Sequence, residues 1–403
     1  MRPQSLSRIV IFGASLSALA YGAFYQPAKP DRDPFATLMA DIKAGKTELK
    51  FEPQHGYLKD LLTKLDIPWS SQTLVFSKTS MQGTHISPRK PRAIYFNDQV
   101  YVGWVNGGDF IEIASIDTEE GNHFYTLPNT KAPEVTFEKN PQECVACHGP
   151  RSQRSIPSLI IRSVYPDSDG YPVFTSGGRF TTPSVPLTER WGGWYVSGTH
   201  GKDRHMGNVL AKGDDVRTAL DMEAGANVTD LRKHFDSSEY LTPHSDIMAL
   251  MVAEHQIEFH NRVGRAAMAV KGMGANISKD RVGYIADGLV DTLLGANEIE
   301  LKDPIKGSST FAADYAKKGA RDKKGRSLYD LDFTKRMFKY RLSPLIYSAN
   351  FEGLPQAVKE AVYDRLKLIM AGQDKSNDFG FLTKEDRQAI LEILTETKPD
   401  FAS

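Results

Sequence analysis

The stretch that decides the fold runs from Ala93 to Leu127, AIYFNDQVYVGWVNGGDFIEIASIDTEEGNHFYTL. Four β-prone runs, Ala93 to Phe96, Val100 to Val105, Phe110 to Ile116 and His123 to Leu127, are separated by Asn97-Asp98, Asn106-Gly107-Gly108 and Glu120-Gly121-Asn122. β-Branched and aromatic residues suit a pleated surface and the Asn, Asp and Gly clusters supply turns, so the segment predicts a β-meander. Upstream, Phe35 to Lys46 and Tyr57 to Leu65 have helical spacing, and Thr73 to Lys78 is a short strand. Downstream the period changes. Ser245 to Val270, Val282 to Leu293, Leu354 to Met370 and a run from Thr383 through Leu394 read as helices, the first entered through Thr242-Pro243 as N-cap and first helical residue. The fold class is therefore α+β, a meander-rich N-terminal half with a helical C-terminal half packed over it.

With 403 residues the chain is long enough for a well-buried core, and 50 basic against 50 acidic residues leave no net charge. No nucleic-acid partner is indicated. At the N-terminus, Arg2 and Arg8 precede an apolar run from Ile9 to Leu19, and Ala18-Leu19-Ala20 supplies small residues for cleavage. The apolar run extends to Tyr25, so residues 1–25 read as a signal peptide or an uncleaved membrane anchor. Residues 26–34 read as a linker, 35–240 as the β-rich region and 241–403 as the helical region, the last two forming one integrated unit. The expected location is the periplasm, soluble or anchored to the inner membrane.

Beyond the meander, Cys144-Val145-Ala146-Cys147-His148 contains both cysteines of the chain. Two cysteines two residues apart can each add across a vinyl group of one haem, and the histidine that follows is placed to ligate the iron. A zinc half-site would need further ligands from histidines or carboxylates. A redox dithiol shares the spacing but normally opens a helix after a strand, and inert thiols are the blandest alternative. On this motif the chain resembles the c-type cytochromes. The resemblance implies one covalent haem c, thioether bonds from Cys144 and Cys147, and His148 as proximal ligand. The surroundings differ from the small cytochrome c domain, where the motif lies near the start. The block Glu189 to Asn208, ERWGGWYVSGTHGKDRHMGN, and the closing run Arg387 to Asp400 resemble a family of exported bacterial monohaem proteins of uncharacterised activity.

A haem brings two propionates that need cationic partners, which nominates Arg151, Arg154 and Arg204. His200, His205 and Met206 are of types that close the sixth position on iron, although a histidine in a Gly-rich loop is more often a plain surface residue. His255 lies on the apolar stripe of the long helix, as a core histidine or as a distal residue with Glu258. A second metal at Glu254, Glu258 and His260 would need a matching helix, and none is evident. The leading expectation is electron transfer to a redox partner protein. The alternatives are a haem-dependent oxidoreductase with an open distal position, acting on peroxide or a small nitrogen or sulfur species, and a haem-based sensor or assembly subunit. The basic run Lys317, Lys318, Arg321, Lys323, Lys324 and Arg326 is a candidate docking patch.

Overall fold

The computed structural model describes residues 32–149, 156–211, 220–274, 277–374, 376 and 378–402. Residues 1–25, most of the 26–34 linker, Arg151 and Arg154 lie outside that set. In chain order the elements that build the site are α1 (Pro34–Lys43), α2 (Leu58–Lys64), β1 (Thr73–Val75), β2 (Arg92–Phe96), β3 (Val100–Trp104), β4 (Phe110–Asp117), β5 (Gly121–Pro128), β6 (Glu138–Lys139) and α3 (Gln142–His148). The remainder adds β7 (Arg162–Val164), β8 (Gly178–Phe180), β9 (Trp194–Tyr195), α4 (Ile247–Met273), α5 (Lys279–Leu293), α6 (Phe311–Lys317), a single turn α7 (Ala349–Glu352), α8 (Gln356–Met370) and α9 (Lys384–Thr397).

The meander forms as expected, with β2 to β5 pairing in sequence. It belongs to a seven-stranded antiparallel sheet ordered β6-β5-β4-β3-β2-β1-β9, so the aromatic block around Trp194 supplies an edge strand. The sheet separates two cores. Ala93, Tyr95, Val100, Val102, Trp104, Ile111 and Tyr125 face α1 and α2, where Phe35, Leu58 and Leu62 are fully buried. Strand residues alternate faces, so Phe96, Tyr101, Ile116 and Phe124 point the other way and pack against the first three turns of α4. From Phe259 onward α4 belongs to a third core with α5, α8 and α9. One helix thus joins the sheet to the helical half.

Two details depart from the sequence reading. Helix α4 begins after Asp246, whose carboxylate accepts the Met248 N–H, rather than at Thr242-Pro243; residues 244–246 instead run beside β9, where Ser245 Oγ donates to the Tyr195 carbonyl. An N-cap is decided by the residue whose oxygen reaches the free helix amides, and Asp246 is the better placed. The stretch from 149 to 186, read as loop, contains the β7–β8 hairpin, too short to give a periodic signal. Among the described residues, no helix is long and apolar enough to cross a membrane.

Candidate functional site

Helix α3 carries the CVACH motif immediately beyond edge strand β6, with Pro141 at its N-cap. Cys144 and His148 are one turn apart and so share a helix face. Both line an inner cavity of about 120 Å³ between the sheet and α4 and a neighbouring outer pocket of about 330 Å³ that Cys147 also lines. Together these spaces fall within the roughly 300–1,000 Å³ of small-molecule sites. The inner wall is chiefly apolar, from Ile94, Phe124, Leu159, Ile161, Ala253 and Ile257.

Its floor is Gly103, in the middle of β3, where Ile94 and Glu112 are its cross-strand neighbours. A Cβ at Gly103 would meet nothing closer than Glu112, at 3.5 Å, so the residue is small without being sterically compelled to be. Glycine in a strand interior often marks a bend or a place where a ligand or another backbone approaches closely, and Gly103 has space above it.

His148 Nδ1 donates to the Ser158 carbonyl at 2.9 Å, which fixes the tautomer and leaves Nε2 as the nitrogen with a lone pair to offer. Phe124 lies 4.7 Å from its ring. Burial pushes the imidazole below its usual range, with Arg92 acting the same way against the Ser158 bond, so it is neutral at neutral pH, as a ligand must be. Burial, Glu112 and Glu143 push the Cys144 thiol up to about 12. A redox dithiol needs a stabilised thiolate, which the surroundings of Cys144 do not favour, although the motif does open a helix after a strand as such a dithiol does. Among the described residues no group of three or more His, Cys, Asp or Glu side chains is arranged to hold a metal ion, so the zinc half-site finds no completing ligands there.

Arg92 and Glu112 line both the inner and outer spaces and are ion-paired to each other. Glu112 also accepts from Ser80 Oγ at 2.5 Å and Gln82 Nε2 at 3.0 Å, whereas Arg92 Nε is buried without a hydrogen-bond partner. Neither residue stood out in the sequence. Strand parity is the signal that finds them: Arg92, Ile94, Gly103, Glu112 and Ala114 share one sheet face.

The nominated sixth ligands are elsewhere. His200 Nδ1 donates to the Asp203 carbonyl and its Nε2 accepts from the Asn227 N–H, so both nitrogens are engaged. His205 is buried beside it, its Nδ1 accepting from the Gly207 N–H, and Met206 Sδ lies 3.7 Å from Ser163 Oγ. His255 is wedged between Ser343 Oγ at 2.7 Å and Glu298 at 2.9 Å and faces a separate small pocket between α4 and α5. None of the four lines the CVACH cavity; α4 reaches it with Ala253 and Ile257 instead. Glu254 points away into the core, taking Arg190 Nη1 at 2.8 Å and Trp191 Nε1 at 3.1 Å. Arg204 is paired with Glu223. In the basic run, Lys317, Arg321, Lys324 and Arg326 are each ion-paired to neighbouring carboxylates. Comparison with family models, with curated proteins and with solved structures found no match to the chain.

Proposed function

We propose that this cavity receives one covalent haem c, held by Cys144, Cys147 and His148, and that the protein is a haem-dependent oxidoreductase with an open sixth position. The observation that carries the reading is the pinned His148: its Nδ1 is committed to Ser158 and it lines a cavity that also holds Cys144 and a glycine floor. The exposed apolar residues agree with it. Met81 and Phe180 line the outer pocket, Val145 lies within the motif and Phe137 borders an adjoining hollow with Met81. Such a rim is unusual on a free surface and suits a flat apolar group seated among them.

A haem bound there would supply an iron that exchanges electrons and takes a small ligand. The chain's own residues then decide what that ligand meets. Arg92 offers N–H donors, Glu112 holds the guanidinium in place and can exchange a proton, and the apolar wall excludes bulk water. Among the described residues no histidine other than His148 lines the wall, which favours the open position over the closed one of an electron carrier. One observation bears on the carrier reading: Met81, a side chain of the type that closes a sixth position, lies beside the motif with its Sδ 3.8 Å from Cys144 Sγ. Export through residues 1–25 would place the chain in the periplasm, and a redox partner would exchange electrons with it.

The test of attachment is the Cys144→Ala/Cys147→Ala double variant made in a host that matures haem c. Mass spectrometry of the denatured protein should show one haem added to the wild type and none to the variant. A wild type without the added mass, or a variant that keeps it, would overturn the reading.

A further inference from the structure

We propose that Tyr101, Tyr315, Tyr329 and Tyr347 form a redox relay between the cavity and the surface of the helical half, with Asp98 as its proton acceptor. The inference rests on the haem reading above and concerns how electrons reach that site.

Phe96 and Tyr101, two of the aromatic residues that line the inner cavity, are stacked with centroids 5.9 Å apart. From Phe96 a continuous series of rings leads outward: Phe311 at 5.9 Å, then Tyr315 at 5.6 Å, Tyr329 at 5.2 Å and Tyr347, stacked on Tyr329 at 6.4 Å. Tyr347 is half-buried, so the series starts in the cavity and ends at the surface. Aromatic packing alone needs no functional account, since such contacts are ordinary core.

The hydroxyl groups are what set this cluster apart. Tyr329 donates to Asp98 Oδ2 at 3.0 Å, Gln256 Nε2 donates to Asp98 Oδ1 at 2.9 Å, and Tyr101 donates to Gln256 Oε1 at 3.4 Å. The Tyr315 hydroxyl is buried without a well-formed bond. Tyr329 thus bonds Asp98 directly, and Tyr101 on the cavity wall reaches the same carboxylate through the Gln256 amide. Burial, reinforced by Asp98, holds Tyr101, Tyr315 and Tyr329 above the usual phenol range, so each is protonated at neutral pH. A protonated phenol gives up an electron readily only if its proton can leave at the same time, and Asp98 is a base in hydrogen-bond contact with Tyr329.

The step balances with hydrogen peroxide as the oxidant. Peroxide takes two electrons from the loaded site and two protons from solvent and leaves as two waters. Each electron is replaced through the relay: Tyr329 passes one electron inward and its phenolic proton to Asp98 Oδ2, giving a neutral tyrosyl radical and a carboxylic acid. A one-electron donor at the Tyr347 end returns the electron, and the proton goes back to the phenol oxygen.

The experiment is rapid-freeze electron paramagnetic resonance of the haem-loaded protein after one equivalent of hydrogen peroxide, with haem loading confirmed first by mass. Ring-deuterated tyrosine should narrow the radical signal, identifying it as tyrosyl. Tyr329→Phe should lower its yield at least threefold, Asp98→Asn should lower it too, and Tyr284→Phe, at an exposed tyrosine on α5, should leave it unchanged. Tyr329→Phe and Tyr101→Phe proteins that melt like wild type yet keep the full tyrosyl signal would overturn the relay, as would a loaded wild type that forms none. Absence of covalent haem would overturn the relay and the haem reading together, whereas the other two failures leave the haem reading standing.

Discussion

At Gly103 a single missing side chain opens the floor of the cavity. A Cβ is tolerated there, and β-branched residues favour strands, so Gly103→Val should fold with a melting temperature within a few degrees of wild type. It should nevertheless lower covalent haem loading several-fold, read as the mass added per chain; unchanged loading would mean that nothing flat lies on β3. Glu254 is the opposite case, a residue whose charge holds the core. It is fully buried and accepts from Arg190 and Trp191, and Arg190 also donates to the Pro183 and Val185 carbonyls. Removing one member of such a pair strands the other, so Glu254→Ala should cost about 3–5 kcal/mol in urea unfolding. A loss under 1 kcal/mol would show that the pair is not sequestered from water.

Helix α1 is fastened to the sheet through Asp33, its N-cap, which accepts from the Ala36 N–H, from His123 Nδ1 at 3.0 Å and from Tyr125 OH at 2.5 Å. Burial alone would raise the Asp33 carboxyl, but the hydrogen bonds from His123, Tyr125, Ala36 and Ser115 outweigh it and hold the group at about 2. Burial lowers His123, as does the charge of Lys139, but the bond to Asp33 together with the charges of Asp33 and Asp117 outweighs them, so its balance is raised. A depressed carboxyl stabilises the fold above its unfolded value of 3.8, and that contribution is lost as the pH falls towards 2. A raised histidine stabilises below its unfolded value of 6.5, and that contribution is lost as the pH rises through its higher folded value. Hydrogen exchange of the α1 amides should therefore be slowest between 3.8 and 6.5, after correction for intrinsic rates, and His123→Gln should remove the alkaline limb and weaken the acid one, because His123 is among the partners that hold Asp33 down. Protection that is flat across both limits would show that the cluster does not tie α1 down. The elements themselves were legible because their signals are local: turn residues at fixed offsets in the meander, and apolar period in α5, α8 and α9. The start of α4 was not, since Thr242-Pro243 satisfies the local rule and only the packing of Ser245 against Tyr195 selects Asp246.

Across the whole molecule, α4 is the member on which the halves depend, its first turns closing the sheet face and its last turns lying in the helical core. A fragment ending at residue 240 lacks that cover and should unfold without a cooperative transition while binding a hydrophobic dye. The motif at residues 144–148 was readable from spacing alone, because its residues adjoin in sequence. The cavity wall was not: Arg92, Gly103, Glu112 and Ala253 come together only through strand register and one helix crossing. The aromatic and histidine-rich block at 189–208 drew attention as a ligand source, yet it supplies an edge strand and a buried ion pair. The measurement that tests the central claim most directly is the visible spectrum of the haem-loaded protein, oxidised and reduced, with and without carbon monoxide. An open sixth position predicts a high-spin spectrum that shifts when the gas is added to the reduced protein. A low-spin spectrum unmoved by carbon monoxide would contradict it, and if Met81→Ala then restored the shift, the closing ligand would be Met81 and the protein an electron carrier.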